Sequence, residues 1–352
     1  MTGIVRDNRY LLHRPPEGHP ETHRRLEAIY AMLDEPDMQG HFQLIQSRLA
    51  TAEVIQWVHS AEYMQWVAAT ANKPLSRLNP DTYASADSWT AARLAAGGLL
   101  QAVAEVLDGN LKNAFAVVRP PGHHAEHSRA MGYCILNNVA LAAVFAQRAF
   151  GLKRILIADW DLHHGNGTQH AFERDPSVLF FSVHQYPLYP GTGLFTETGF
   201  GPGEGFTVNV PLPKGYGNGE FVAIFEWLLR PLAFEFRPDL ILVSAGFDCH
   251  AGDPQGGMRL TAQGFATLTR CLMLMAASLC AGKLVLVLEG GYHLEALSES
   301  VKAVLRELRD LNHCDVSHWL TLADSRKLDY ALTRGRHVHR RHWKCLREPV
   351  PA

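Results

Sequence analysis

The chain has no CxxC pair among its six cysteines, no linker rich in proline, serine or glycine, and almost no net charge, −2 over 352 residues. It also has no apolar run approaching the ~18 residues that a membrane-spanning helix needs. Each absence excludes something. Scattered thiols (Cys134, Cys249, Cys271, Cys280, Cys314 and Cys345) fit reduced cysteines, most simply small buried residues, better than a disulfide frame or a thiolate zinc site. A near-neutral total gives no global attraction to nucleic acid. Residues 1–10 carry charges and no apolar signal core, so a cytoplasmic location is expected. With no linker, one catalytic domain over residues 1–325 is expected, followed at 326–352 by a basic C-terminal tail or extension that is solvated and only partly ordered.

What the chain does have is a composition, 47% hydrophobic and 19% charged, suited to a large core. Apolar strand-like runs recur at 115–118, 154–158, 178–183, 206–210, 240–244 and 284–288, several of them apolar on both faces. Helical patterns at 88–107, 137–149, 221–236, 262–281 and 294–311 alternate with them, which predicts a parallel sheet covered on both sides. In such folds the ligand crevice lies outside the carboxyl ends of the strands.

Four of these runs end in unusual chemistry. After 155–158 comes Asp159-Trp160-Asp161-Leu162-His163-His164-Gly165-Asn166; the others lead into Arg119-Pro120-Pro121-Gly122-His123-His124, Ser244-Ala245-Gly246-Phe247-Asp248 and Glu289-Gly290-Gly291-Tyr292. Asp161, His163 and Asp248 make two carboxylates and one imidazole, a ligand set for zinc or another borderline divalent ion with one position left open, as in catalytic rather than structural sites. Taken singly, either aspartate is as readily a turn or helix cap. Two anionic ligands weaken the Lewis acidity of the metal, so a nearby base is useful, and His123 and His124 are the candidates. Asp159 and Asn166 can each orient one of these histidines. Tyr292 follows two glycines that let a substrate approach closely, and its hydroxyl can polarise a carbonyl.

The segments RPPGHHAE, MGYCILNN, DWDLHHGNGTQ, SVHQYPLYPGTG, SAGFD, GDPQGGMRLT and LEGGYHLEAL, in this order, resemble the zinc-dependent histone deacetylase family over about residues 15 to 310. The resemblance is to the class II and bacterial histone-deacetylase-like amidohydrolase branch, related to acetylpolyamine amidohydrolases, because Asn166 stands where class I members have aspartate. It implies an α/β, arginase/deacetylase-like three-layer fold with a mostly parallel eight-stranded sheet, and hydrolysis of an acetylated amine. Carried over, Asp161, His163 and Asp248 match the zinc ligands. His124 matches the proton shuttle, His123 its electrostatic partner backed by Asp159, and Tyr292 the carbonyl-polarising tyrosine. Gly132 matches the position whose carbonyl takes the substrate N–H, and Tyr133 and Tyr189 match the tunnel walls. The family usually has phenylalanine where Tyr133 stands, so a hydroxyl is added there. Gln255 falls on the rim, with Gly290 and Gly291 expected against the substrate.

The resemblance also implies potassium, at one site through Asp159, Asp161, His163, Ser182 and Val183 and at a second through Phe172, Asp175, Val178 and Phe206. Expected partners are acetylated lysine in proteins or acetylated small amines, and a homo-oligomer is compatible. Three alternatives stand beside the deacetylase reading: an acetylpolyamine deacetylase, a non-catalytic metal- or acyl-lysine-binding protein, and a dimanganese amidinohydrolase. The last needs a metal ligand two residues past His163, where Gly165 has no side chain.

Overall fold

The computed structural model describes residues 1–347. Ten strands form: β1 (Thr2–Val5), β2 (Gln43–Ile45), β3 (Leu75–Asn79), β4 (Thr82–Ser85), β5 (Asn113–Ala116), β6 (Ile155–Asp159), β7 (Val178–Gln185), β8 (Thr207–Leu212), β9 (Leu240–Ala245) and β10 (Leu284–Leu288). Eight of them make one sheet in the order β2-β1-β5-β10-β9-β6-β7-β8, and every pairing in it is parallel. β3 and β4 form a separate antiparallel hairpin.

The central strands are buried along their whole length, which is why their sequences show no polar alternation. All six expected strands are present within a few residues. Four strands were missed: β1 and β2, four and three residues long, and the hairpin strands β3 and β4, five and four residues long, all too short to stand out as runs.

Helices Ser88–Leu107, Asn138–Phe150, Ala262–Leu279 and Leu294–Leu308 lie close to their expected limits. Local signals set their ends: Asn137 accepts the N–H of Ala140 at one N-terminus, and Gly151, in the left-handed region at φ 69°, closes the same helix. The single helix expected over 221–236 is broken into Asn218–Ile224, a π-turn Phe225–Leu229 and Arg230–Phe236. Pro231 has no N–H for the carbonyl of Trp227, and that carbonyl instead accepts from the Arg336 guanidinium at 3.1 Å.

Arg336 belongs to the segment expected to be a solvated tail, and here the structure corrects the sequence reading. Helix Ser325–His339 buries Leu328, Ala331, Leu332 and His339 against the domain, and Trp343, also buried, donates its indole N–H to the carbonyl of Gly205 at 2.8 Å. Apolar residues every three to four positions set that docking, hidden in the sequence among arginines and histidines. Residues 348–352 of the expected tail lie outside the described residues. Among those described, no helix is long and apolar enough to cross a membrane.

Candidate active site and its metal ligands

The four chemical clusters leave the ends of β5, β10, β9 and β6, which are consecutive neighbours at the centre of the sheet. Adjacent strands lie about 4.8 Å apart, so this order alone gathers the clusters into one crevice. Register completes the alignment: Asp159 pairs with Ser244, which pairs with Val287.

Asp161, His163 and Asp248 are buried, and their ligand atoms lie within 4.8 Å of one another. His163 Nδ1 stands 3.1 Å from Asp248 Oδ2 and 3.3 Å from Asp161 Oδ1. Backbone N–H groups fix the carboxylates: Leu162 donates to Asp248 Oδ1, His163 to Asp161 Oδ1 and Gly290 to Asp161 Oδ2, at 2.9, 2.9 and 2.8 Å. Burial pushes Asp248 up to about 7, with Asp161 adding to it. Burial also opposes the charge of Asp161, but the imidazoles of His123 and His163 outweigh it and hold that carboxyl well below its ordinary range. Two oxygen donors and one imidazole nitrogen, buried and crowded to the point that one carboxylate resists ionising, fit a divalent cation such as zinc.

Gly290 is required by this cradle, because a Cβ there would sit 2.3 Å from Asp248 Oδ2. The close approach that these glycines allow is, within the protein, to the carboxylates of Asp161 and Asp248 at Gly290 and to Phe247 and Leu297 at Gly291; the Gly290 carbonyl takes the N–H of Phe247 and the Gly291 carbonyl takes Arg25.

The two histidines pack with ring centroids 4.0 Å apart and have different partners. His123 Nδ1 lies 2.9 Å from Asp159 Oδ2, and its Nε2 is 3.7 Å from Asp161. Burial disfavours its charge, but Asp159 and Asp161 more than compensate and raise it to about 10. His124 Nδ1 lies 2.7 Å from Asn166 Oδ1, a neutral partner, and burial together with His123 and His163 keeps it well below the usual imidazole range. The two imidazoles thus stand side by side with their proton affinities pushed in opposite directions. His124 Nε2 and the Tyr292 hydroxyl make no hydrogen bond to any described residue.

Above them, Tyr189 meets His124 edge-on with centroids 5.2 Å apart and His163 at 6.2 Å, while Tyr133 meets Tyr292 at 5.9 Å. These five rings stand beside the candidate metal ligands. Gly132, at φ +56°, has no room for a side chain, since a Cβ would fall 2.2 Å from the His124 ring. Its N–H donates to Asp81 Oδ1 at 3.2 Å. Gln255 is half-buried; its N–H donates to Asp253, whose other carboxylate oxygen takes the N–H of Tyr292, so the rim loop and the tyrosine loop share one anchor.

Of the expected potassium residues, Ser182 pairs with Asp159 across β6 and β7, and its hydroxyl lies 2.9 Å from His184 Nδ1. At the second set, the N–H of Asp175 donates to the Phe172 carbonyl, that of Val178 to Asp175, and that of Phe180 to Phe206.

Several supporting residues were not singled out from the sequence. Glu289 Oε2 takes the N–H groups of Gly122 and His123 and thereby seats the histidine pair. Glu21, wholly buried, joins Arg25 and Arg119, and Arg25 donates to the carbonyls of Glu289 and Gly291 under the Tyr292 ring. The available signal was a charged residue directly after an apolar strand run, which both Arg119 and Glu289 show.

Fold and site together define an α/β protein with a buried triad of candidate metal ligands at the carboxyl end of a parallel sheet. The chain belongs to the histone deacetylase family, whose Histone deacetylase domain model matches residues 19–308. It is 43% identical over 316 residues to Histone deacetylase 15 of Arabidopsis thaliana, covering 87% of this chain and 56% of that protein. It is 39% identical to a Probable deacetylase of Archaeoglobus fulgidus, covering 99% of this chain and all of that one. Polyamine deacetylase HDAC10 of Homo sapiens is 41% identical over 96% of this chain and 51% of its own length. The chain thus spans about half of the plant and human relatives and the whole of the archaeal one. The crystal structure of the HDA15 HD domain superposes with a TM-score of 0.89 at 39% identity, covering 98% of each chain.

Proposed function

We propose that this chain is a zinc-dependent amidohydrolase that removes acetyl or short acyl groups from the ε-amine of acyl-lysine or a similarly acylated amine. The observation that carries this reading is one constellation: three buried candidate ligand atoms, an imidazole and a phenol whose Nε2 and hydroxyl make no hydrogen bond to any described residue, and the rings of Tyr133 and Tyr189 packed against them. When bound, zinc supplies a Lewis acid for the acyl carbonyl and lowers the pKa of water. His124 Nε2 accepts the proton of the attacking water and returns it to the departing amine. Tyr292 donates its O–H to the oxyanion that develops on the carbonyl oxygen. His123, held cationic by Asp159, adds positive charge beside the same centre. The Gly132 carbonyl holds the amide N–H, and Tyr133 and Tyr189 enclose the apolar arm.

Turnover of a fluorogenic acetyl-lysine peptide, with and without a chelator, tests the reading. Chelator-sensitive release of acetate is expected; no turnover by the zinc-loaded protein would leave the metal- or acyl-lysine-binding alternative standing. The acetylpolyamine alternative is separated by comparing the peptide with acetylputrescine and acetylspermidine. Gln255, neutral at the rim, favours the uncharged acyl-lysine arm over a polyamine ammonium. The proposal extends to a cytoplasmic location, which suits six free cysteines, five of them buried. It also extends to potassium at the two expected sites, where replacing K⁺ with choline should lower Tm.

A further inference from the structure

Asn166 faces two partners, and the second decides what the first can do. Its Oδ1 lies 2.7 Å from His124 Nδ1, while its Nδ2 donates to Glu126 Oε1 at 2.5 Å. Both oxygens of Glu126 also meet His170 Nδ1, at 2.9 and 3.0 Å. Met131 Sδ, at 3.4 Å, is a second and weaker acceptor for the same amide nitrogen. His170 is a surface residue with 44% of its side chain exposed, whereas Asn166 and His124 are buried.

An ionised carboxylate only accepts hydrogen bonds. The amide of Asn166 must therefore turn its NH₂ end to Glu126 and its oxygen to His124. A carbonyl oxygen likewise only accepts, so the proton of neutral His124 resides on Nδ1. Nε2 then carries the lone pair, and it makes no hydrogen bond to any described residue. An asparagine with no charged neighbour can turn either end to an imidazole at nearly equal cost. The tautomer of His124 is thus set two residues away, by a group that never meets substrate.

We propose that Glu126, held in place by His170, is a positioning residue for His124: it orients the Asn166 amide and so fixes the Nδ1–H tautomer that leaves Nε2 free to take a proton. The inference rests on the deacetylase reading for its kinetic consequence but not for its structural one. Glu126→Gln is the discriminating variant, because it keeps the shape of the side chain and removes the accept-only constraint. Asn166→Asp places a carboxylate against Glu126 at hydrogen-bond distance, and the double variant Asn166→Asp/Glu126→Gln turns that clash back into a donor–acceptor pair.

The full-length, zinc-loaded chain, labelled with ¹⁵N-histidine, is read in three ways: zinc content, kcat and KM on an acetyl-lysine peptide, and the ¹⁵N signature of the His124 ring. In Glu126→Gln, zinc and KM should hold. The ring should show a mixture of tautomers, and kcat should fall at least about tenfold, short of the ~10⁴-fold loss that a wholly wrong tautomer brings. Asn166→Asp should lose kcat, and the double variant should recover at least about tenfold of that loss, the scale typical of outer-shell partners. A pure Nδ1–H signature in Glu126→Gln with kcat within twofold of wild type overturns the proposal, as does a double variant no better than Asn166→Asp alone. If the wild type releases no acetate, the deacetylase reading fails separately, and the tautomer measurement still decides the part played by Glu126.

Discussion

At the floor of the crevice Asp159, Asp161, Asp248, Glu289, His123 and His124 are at most 4% exposed, whereas at the rim Tyr189 is 37% exposed and Tyr133 and Gln255 are half-buried. Every carboxylate oxygen on the floor has a partner, mostly a backbone N–H from a strand end. The rim stands on loops, and Tyr133 itself sits in the left-handed region at φ 67°. A buried charge tolerates few neighbours, so the floor is over-determined. A half-exposed tyrosine or glutamine is compatible with many surroundings. Under the proposed function, the reaction is written in the floor and the choice of substrate in the rim.

Breaking the floor should have the largest effect. Asp248→Ala is expected to abolish zinc retention and activity together, leaving His163 beside a single carboxylate, while the fold survives. Elemental analysis checks it, and a variant with stoichiometric zinc would remove Asp248 from the ligand set. Next, Tyr292→Phe should lower kcat by roughly 10²-fold or more, the scale of a lost oxyanion donor, with zinc in place, and His124→Ala should be at least as damaging. Near-normal turnover by the tyrosine variant would mean that the phenol faces away from the reacting carbonyl.

The boundary between the two regions should respond to acid. His59 is buried, donates from Nδ1 to the Glu126 carbonyl and accepts the N–H of Asn137 at Nε2, so it ties both ends of the segment that carries Gly132 and Tyr133. Burial lowers it to about 4. The unfolded chain therefore takes the proton first on acidification. The stability supplied by neutral His59 is full above about pH 6.5 and is lost as pH falls toward 4, in all on the order of 3 kcal/mol. Hydrogen exchange over residues 126–137 should rise in that window before exchange over 155–163 does; equal loosening of both would erase the distinction between floor and rim.

The smallest change is at the rim alone. Gln255→Glu should raise kcat/KM for acetylspermidine relative to an acetyl-lysine peptide by roughly 5- to 150-fold, the worth of one partly desolvated charge pair, and less at high salt. An unchanged ratio in low-salt buffer would move selectivity to the loops around Asp81 and His127.

The same contrast governs what the sequence discloses. Asp161, His163, Asp248 and Tyr292 were legible because a polar residue directly after a doubly apolar run has few structural uses, and the four runs prove to be neighbouring strands. Glu21, Arg25 and Glu126 were not: their pairings with Arg119, Glu289 and Asn166 span 98, 264 and 40 residues, and spacing carries no trace of such a pairing. The helix Ser325–His339 was lost for a different reason. Its buried stripe is sparse and lies in a strongly basic stretch, so charge masked periodicity.

Arg25 reaches the carbonyls of Glu289 and Gly291 across 264 and 266 residues of chain. The loop that presents Tyr292 thus finds its anchor in a stretch synthesised 264 residues ahead of it. At roughly 5–20 residues per second, that anchor waits some tens of seconds for its partner to be made. A nascent chain halted after Asp248 already owns all three metal ligands yet has neither the tyrosine nor the loop that Arg25 holds. The carboxylates of such a chain are still unheld: β10, at the centre of the sheet, and Gly290, whose N–H fixes Asp161, are made only afterwards, so the site closes last and closes from its tyrosine side.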